Sequence, residues 1–105
     1  MQPEVIHVEV LYFEDCPNFE RALDLVRDVA QALGADVSIV TREVKDPDDA
    51  VRCRFPGSPT IRVDGSDLEP EVDRVGIPAF GCRLYGGEGV PPRTLIERAL
   101  RGRME

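Results

Sequence analysis

The chain has no tryptophan, a single histidine (His7) and only three cysteines. Cys16, Cys53 and Cys82 are widely separated, and no two of them have C-x-x-C spacing. An odd count without a secretion signal argues against a structural disulfide framework. With one histidine and no paired thiols, a structural zinc site is not expected either, and no metal is assigned. No apolar run approaches the ~20 residues of a membrane span. Basic residues are also in short supply, 13 Lys and Arg against 20 Asp and Glu, for a formal net charge of −7. Phosphate backbones and anionic bilayers select basic faces, so neither nucleic acid nor a membrane surface is an expected partner. The opening Met1-Gln2-Pro3-Glu4 lacks the basic flank and small-residue cleavage site of a signal peptide, which makes a cytoplasmic address the expectation.

What is present suits one folded domain. The 105 residues, 42% hydrophobic and 31% charged, are enough to bury a core and too apolar for disorder, so residues 1–105 are read as a single domain. Val5 to Phe13 begins as an alternation of Ile6, Val8 and Val10 with His7 and Glu9. It ends as the run Val10-Leu11-Tyr12-Phe13, a strand half covered at first and covered on both faces at its end. Asp15-Cys16-Pro17 interrupts it, and Pro17 suits a first helical position. Phe19, Ala22, Leu23, Val26, Val29, Ala30 and Leu33 then share one helical stripe, which Gly34 stops.

Val37 to Val44 is a second strand, and strand-helix-strand order implies a parallel pair with a right-handed crossover. Asp46 and Pro47 open a short helix reaching about Arg54, ended by Pro56 and Gly57. Thr60 to Val63 is a third strand, closed by the turn signal Asp64-Gly65. Residues 66–79 are acidic, contain Pro70 and Pro78 and show no periodicity, so they are expected to form a loop insertion. Asp67, Glu69, Glu71 and Asp73 lack calcium-loop spacing and read as solvated surface. Phe80 to Tyr85 alternates, with Phe80, Cys82 and Leu84 on one face, and is expected to be the fourth strand. Gly86-Gly87-Glu88-Gly89 reads as a turn. Pro91-Pro92 starts a last helix with Leu95, Ile96, Ala99 and Leu100 inward and Arg98, Arg101 and Arg103 toward its C-terminus.

Two motifs make this element order specific. Phe13-Glu14-Asp15-Cys16-Pro17 puts a cysteine between the first strand and the first helix, and Phe55-Pro56-Gly57-Ser58-Pro59-Thr60 precedes the third strand. Together they resemble the thioredoxin superfamily across nearly the whole chain except 66–79. The resemblance implies an α/β thioredoxin-like fold, with a four-stranded mixed sheet of order 2-1-3-4 flanked by three helices. It further implies a cis Ser58–Pro59 bond, Pro59 lying beside Cys16, and a substrate groove formed by Pro17, Ser58, Pro59 and Thr60.

Cys16 is the candidate catalytic group. Placed as the N-cap of the first helix, its sulfur would face the amides of Asn18 and Phe19, which together with the helix dipole favour thiolate. Glu14, Asp15 and Glu20 oppose that, so a moderately activated nucleophile is expected. The plainer alternative makes Cys16 a small polar cap. Phe19 stands where thioredoxins carry a second cysteine, so attack on a disulfide stalls at the mixed disulfide unless another thiol intervenes. Cys53 and Cys82 are the two possible second thiols. Cys53 is the nearer, although packing against Ala50 and Phe55 is its expected fate. Cys82, two strand spacings from the first strand, is expected in the core. No resident cofactor is expected. The resemblance to glutaredoxins at Gly86-Gly87 makes glutathione a candidate co-substrate, disfavoured by the acidic surround of Cys16.

The function expected is thiol-disulfide oxidoreductase or thiol-redox chemistry at Cys16, acting on a protein or small-molecule disulfide. In that reading Pro59 shapes the groove and the backbone beside Ser58 pairs with an extended substrate strand. Two alternatives stand beside it. One is soft-metal or metalloid binding by converging thiolates; the other is a non-catalytic interaction domain that keeps the fold as scaffold.

Overall fold

The computed structural model describes residues 5–69, 80–83 and 85–104. The elements are β1 (Ile6–Tyr12), α1 (Phe19–Leu33), β2 (Val37–Glu43), α2 (Pro47–Cys53), β3 (Thr60–Val63) and β4 (Ser66–Asp67). A 3-10 turn (Tyr85–Gly87) and α3 (Arg93–Met104) follow. The strands form one mixed sheet of order β2-β1-β3-β4. β1 and β2 are parallel in the register Ile6↔Val37 to Tyr12↔Glu43. β3 runs antiparallel to β1, with Leu11 opposite Thr60 and Val8 opposite Val63.

The two faces of the sheet follow from the alternation along β1. Ile6, Val8 and Val10 point into the main core with Ile61 and Val63 of β3. There they meet Ala22, Val26, Val29 and Ala30 of α1, and Ile96 and Leu100 of α3. Leu11 points the other way, into a smaller cluster with Val44, Ala50 and Phe55 beneath α2. Both faces are therefore covered only at the C-terminal end of β1, as the apolar run there predicts. Among the described residues no helix is long and apolar enough to cross a membrane.

Local chemistry sets the element ends. The carboxylate of Asp46 accepts the Asp49 N–H at 2.7 Å with Pro47 in the first turn of α2, as an N-cap should. Gly34 closes α1 in the left-handed conformation, φ 67°. Arg62, on the α2 side of the sheet, donates to the carbonyls of Cys53 (2.8 Å) and Arg54 (3.1 Å), supplying the C-terminal end of α2 with donors.

Two expectations need correction. The fourth strand is Ser66–Asp67, not Phe80 to Tyr85. Asp64 and Gly65 supply the two positive φ angles (49° and 88°) of a two-residue hairpin, so Ser66 pairs at once with Val63 and Asp67 with Arg62. A two-residue strand is too short to display a period. Residues 66–69 thus belong to the hairpin, while 70–79, with Glu71 and Asp73, lie outside the described residues, as does Leu84. The second correction concerns α1. It starts at Phe19 with Asn18 as N-cap (φ −105°, ψ 0°), because Cys16 to Phe19 form a separate turn in which the Phe19 N–H bonds the Cys16 carbonyl at 3.4 Å.

Two predictions test this frame. Phe55→Ala empties the fully buried centre of the smaller core and should cost about 3–5 kcal/mol in urea unfolding. Val51→Ala, on the exposed side of α2, should stay within about 0.5 kcal/mol. Asp64 accepts the His7 N–H (3.0 Å) and the Arg103 guanidinium (2.6 Å), which hold its carboxyl below the ordinary 3.8. Its contribution is therefore complete above 3.8 and disappears as pH falls through the lowered folded-state value. Unfolding midpoints followed from about pH 6 to about pH 3 should show a step of about 1 kcal/mol or less, absent in Asp64→Asn.

Candidate functional site

The end of β1 and the start of β3 are joined at the pole that carries Cys16. Leu11 pairs with Thr60, and beyond it the Phe13 N–H donates to the Ser58 hydroxyl at 3.3 Å. The chain then turns through Asp15 in the left-handed region (φ 65°), with the Cys16 N–H on the Phe13 carbonyl at 3.2 Å. Asp tolerates this conformation better than most residues. Cys16 is half-buried. Of the two amides expected to face its sulfur, that of Phe19 is bonded to the carbonyl of Cys16 itself. Cys16 thus precedes the cap residue of α1 instead of being it. The aromatic rings of Tyr12 and Phe19 stack across the turn, centroids 3.8 Å apart at 19°.

The Ser58–Pro59 peptide is cis. Ser58, Pro59 and Thr60 are all fully buried. Of the groove residues expected from sequence, Ser58, Pro59 and Thr60 form one buried segment that meets the Cys16 turn through the Phe13–Ser58 bond, while Pro17 lies within that turn. One edge of the buried segment is taken. The Ser58 N–H donates to the Gly81 carbonyl (2.7 Å), and the Ser58 carbonyl accepts the Arg83 N–H (2.8 Å). Cys82 is thereby paired directly with Ser58 in a parallel bridge. The backbone groups expected to receive a substrate strand are occupied by this chain's own residues 81–83.

Cys82 consequently is not a core residue. It is exposed, because residues 80–83 run along Ser58 at the rim of the fold and not as an inner-facing edge strand. Phe80, two residues earlier, reaches the ring of Phe13, centroids 5.5 Å apart. Cys53 meets its expected fate: at the end of α2 it packs against the Leu11, Val44, Ala50 and Phe55 cluster, its thiol 4.0 Å from the Ala50 carbonyl. Among the described residues no three His, Cys, Asp or Glu side chains converge as a metal site would require.

Beneath the Pro59 segment lies a buried polar network absent from the sequence reading. Arg83 holds Asp67 through two bonds of 2.7 Å each, Glu69 at 2.7 Å and the Thr60 hydroxyl at 3.2 Å. Its guanidinium carbon lies 4.4 Å from the centre of the Tyr85 ring. The Tyr85 hydroxyl in turn donates to the Pro59 carbonyl at 2.6 Å. Burial disfavours the Arg83 charge, but the bonds from Asp67 and the surrounding acids outweigh it and keep the guanidinium above its usual range. Burial likewise pushes the Tyr85 phenol well up, so it stays a proton donor.

Asp67, expected on solvated surface, is a buried ion-pair partner instead, and Glu69 shares it. A single basic residue inside an alternating apolar segment, with two acids just after a hairpin turn, was the available signal. Gly57 admits the arrangement. It sits at φ 133°, and a Cβ there would press within 3.1 Å of the Arg83 Cβ and 3.3 Å of the Gly81 carbonyl oxygen.

Comparison with protein-family models finds no match for this chain, and no curated protein matches it.

Removing one partner of the buried pair leaves the other charge stranded. Arg83→Met should cost about 3–5 kcal/mol in urea unfolding. Tyr85→Phe, which removes only the bond to the Pro59 carbonyl, should cost about 1 kcal/mol.

Proposed function

We propose that the chain has a thioredoxin-like fold and acts in thiol-disulfide exchange through Cys16. The observation that carries this reading is the junction of the Cys16 turn with the Ser58-Pro59-Thr60 segment through the Phe13–Ser58 hydrogen bond. That bond ties the strand end leading into the turn of the half-buried Cys16 to the buried cis-proline segment. The sheet order, with α1 and α3 on one face and α2 on the other, also agrees with such a fold.

In the reaction the Cys16 thiolate attacks one sulfur of a disulfide and forms a mixed disulfide, while the other sulfur leaves as thiolate. The stacked Tyr12 and Phe19 rings and the Phe13–Phe80 pair give the surroundings an apolar character suited to the organic part of a substrate. Ser58 and Thr60 are already engaged by the chain itself, so their role is to shape the wall and not to bind substrate. The proposed substrates are small-molecule or protein disulfides.

The test pairs reactivity with turnover. Alkylation by iodoacetamide, resolved residue by residue by mass spectrometry, should be fastest at Cys16. Reduction of a small aromatic disulfide should fall to the buffer background in Cys16→Ser. If Cys16 is alkylated no faster than a free cysteine and no disulfide is reduced, the proposal fails and the scaffold reading takes its place.

A further inference from the structure

A single attacking thiol leaves a chemical gap, since the mixed disulfide formed at Cys16 must be released by a second thiol. We propose that Cys82 is that thiol, and that Cys16 and Cys82 form a reversible intramolecular disulfide. This inference rests on the proposed role of Cys16.

Three contacts set the two cysteine segments side by side. Phe80 meets Phe13 on the N-terminal side of the Cys16 turn. The backbone on either side of Cys82 is bonded to Ser58, whose hydroxyl accepts the Phe13 N–H. On the C-terminal side of the turn, Gly89 lies so close to Asn18 that a Cβ there would collide with the Asn18 side-chain amide. Phe80 and Gly89 therefore border the turn 13–18 at its two ends, with Cys82 between them in sequence and Cys16 inside the turn.

Directly paired residues present their side chains to one side of a sheet, so Cys82 shares a side with the Ser58 hydroxyl that holds the Cys16 turn. It also occupies the edge where an extended substrate would pair, and thus holds the place of a substrate cysteine. Cys82 is exposed and available. Cys53 is held in the apolar cluster beneath α2, which leaves it the weaker partner. A disulfide needs Cα atoms within about 7 Å, and the contacts at Phe80, Ser58 and Gly89 are what bring the two segments toward that range.

The exchange balances in two steps. Cys16 thiolate attacks the disulfide RS–SR′, the Cys16–SR bond forms and R′S⁻ leaves. Cys82 thiolate then attacks the Cys16 sulfur, the Cys16–Cys82 bond forms and RS⁻ leaves. The substrate gains two electrons and the protein loses them. An external thiol reductant returns them in the reverse sense.

The test uses the full chain carrying Cys53→Ser, treated with less than one equivalent of the aromatic disulfide 5,5′-dithiobis(2-nitrobenzoate). With Cys82 present, each reagent molecule should release both aromatic thiols, the second at a rate independent of protein concentration. Peptide mapping should show a Cys16–Cys82 crosslink. With Cys82→Ser added, only one thiol should leave and the other should stay on Cys16. A Cys16 adduct that persists equally in both variants overturns the role of Cys82 and leaves Cys16 as the nucleophile. Absence of any adduct or crosslink at Cys16 overturns the reading of Cys16 itself, and this inference with it.

Discussion

The buried pair of Arg83 and Asp67 is the contact on which the architecture of the site depends. It joins a two-residue strand to a segment with no regular pairing of its own, and both lie against the start of β3. Taking two charges out of water is costly, and such a pair is favourable only when geometry and additional bonds satisfy it. Here the fork of Arg83 is filled by both Asp67 oxygens, by Glu69 and by the Thr60 hydroxyl. No buried side-chain nitrogen or oxygen among the described residues lacks a partner. The consequence is positional: residues 81–83 have one place to lie, along Ser58.

That placement changes what the Pro59 segment is. An open edge beside it would be a groove for an extended peptide. With Gly81 and Arg83 bonded to Ser58, the edge is internal, and its bonds fix the wall of the site and bring an exposed thiol to the same rim. Tyr85 completes the support from behind by holding the Pro59 carbonyl. The Cys16 turn is held by its own backbone bonds and by the Tyr12–Phe19 stack.

The parts of this that were legible in sequence are the ones with local causes. The alternation and apolar run of Val5 to Phe13 foretold a strand covered on both faces at its end. Asp46 and Pro47 foretold the start of α2, and Gly34 the end of α1. Thr60 to Val63 was read in full. Pro17 fits a first helical position, yet the Cys16–Phe19 hydrogen bond makes it part of a turn that precedes α1. The Asp64-Gly65 signal ends β3 and also pairs it at once with β4, a two-residue strand with no period of its own to betray it. The apolar neighbours of Cys82 point to the core, but alternation alone does not say which partner a segment has, and Ser58 is the partner here.

Taken alone, the order of residues determined that three helices form and where three of the strands lie, because caps, turns and side-chain period act over a few neighbouring residues; the cap of α1, Asn18 and not Cys16, came from the fold. Only the folded chain decided that Asp67 is buried and Cys82 is exposed. Each fate depends on a partner distant in sequence, Arg83 for the one and Ser58 for the other. A carboxylate reads as surface until a guanidinium is brought to it, and a thiol among apolar residues reads as core until its backbone is paired at a rim.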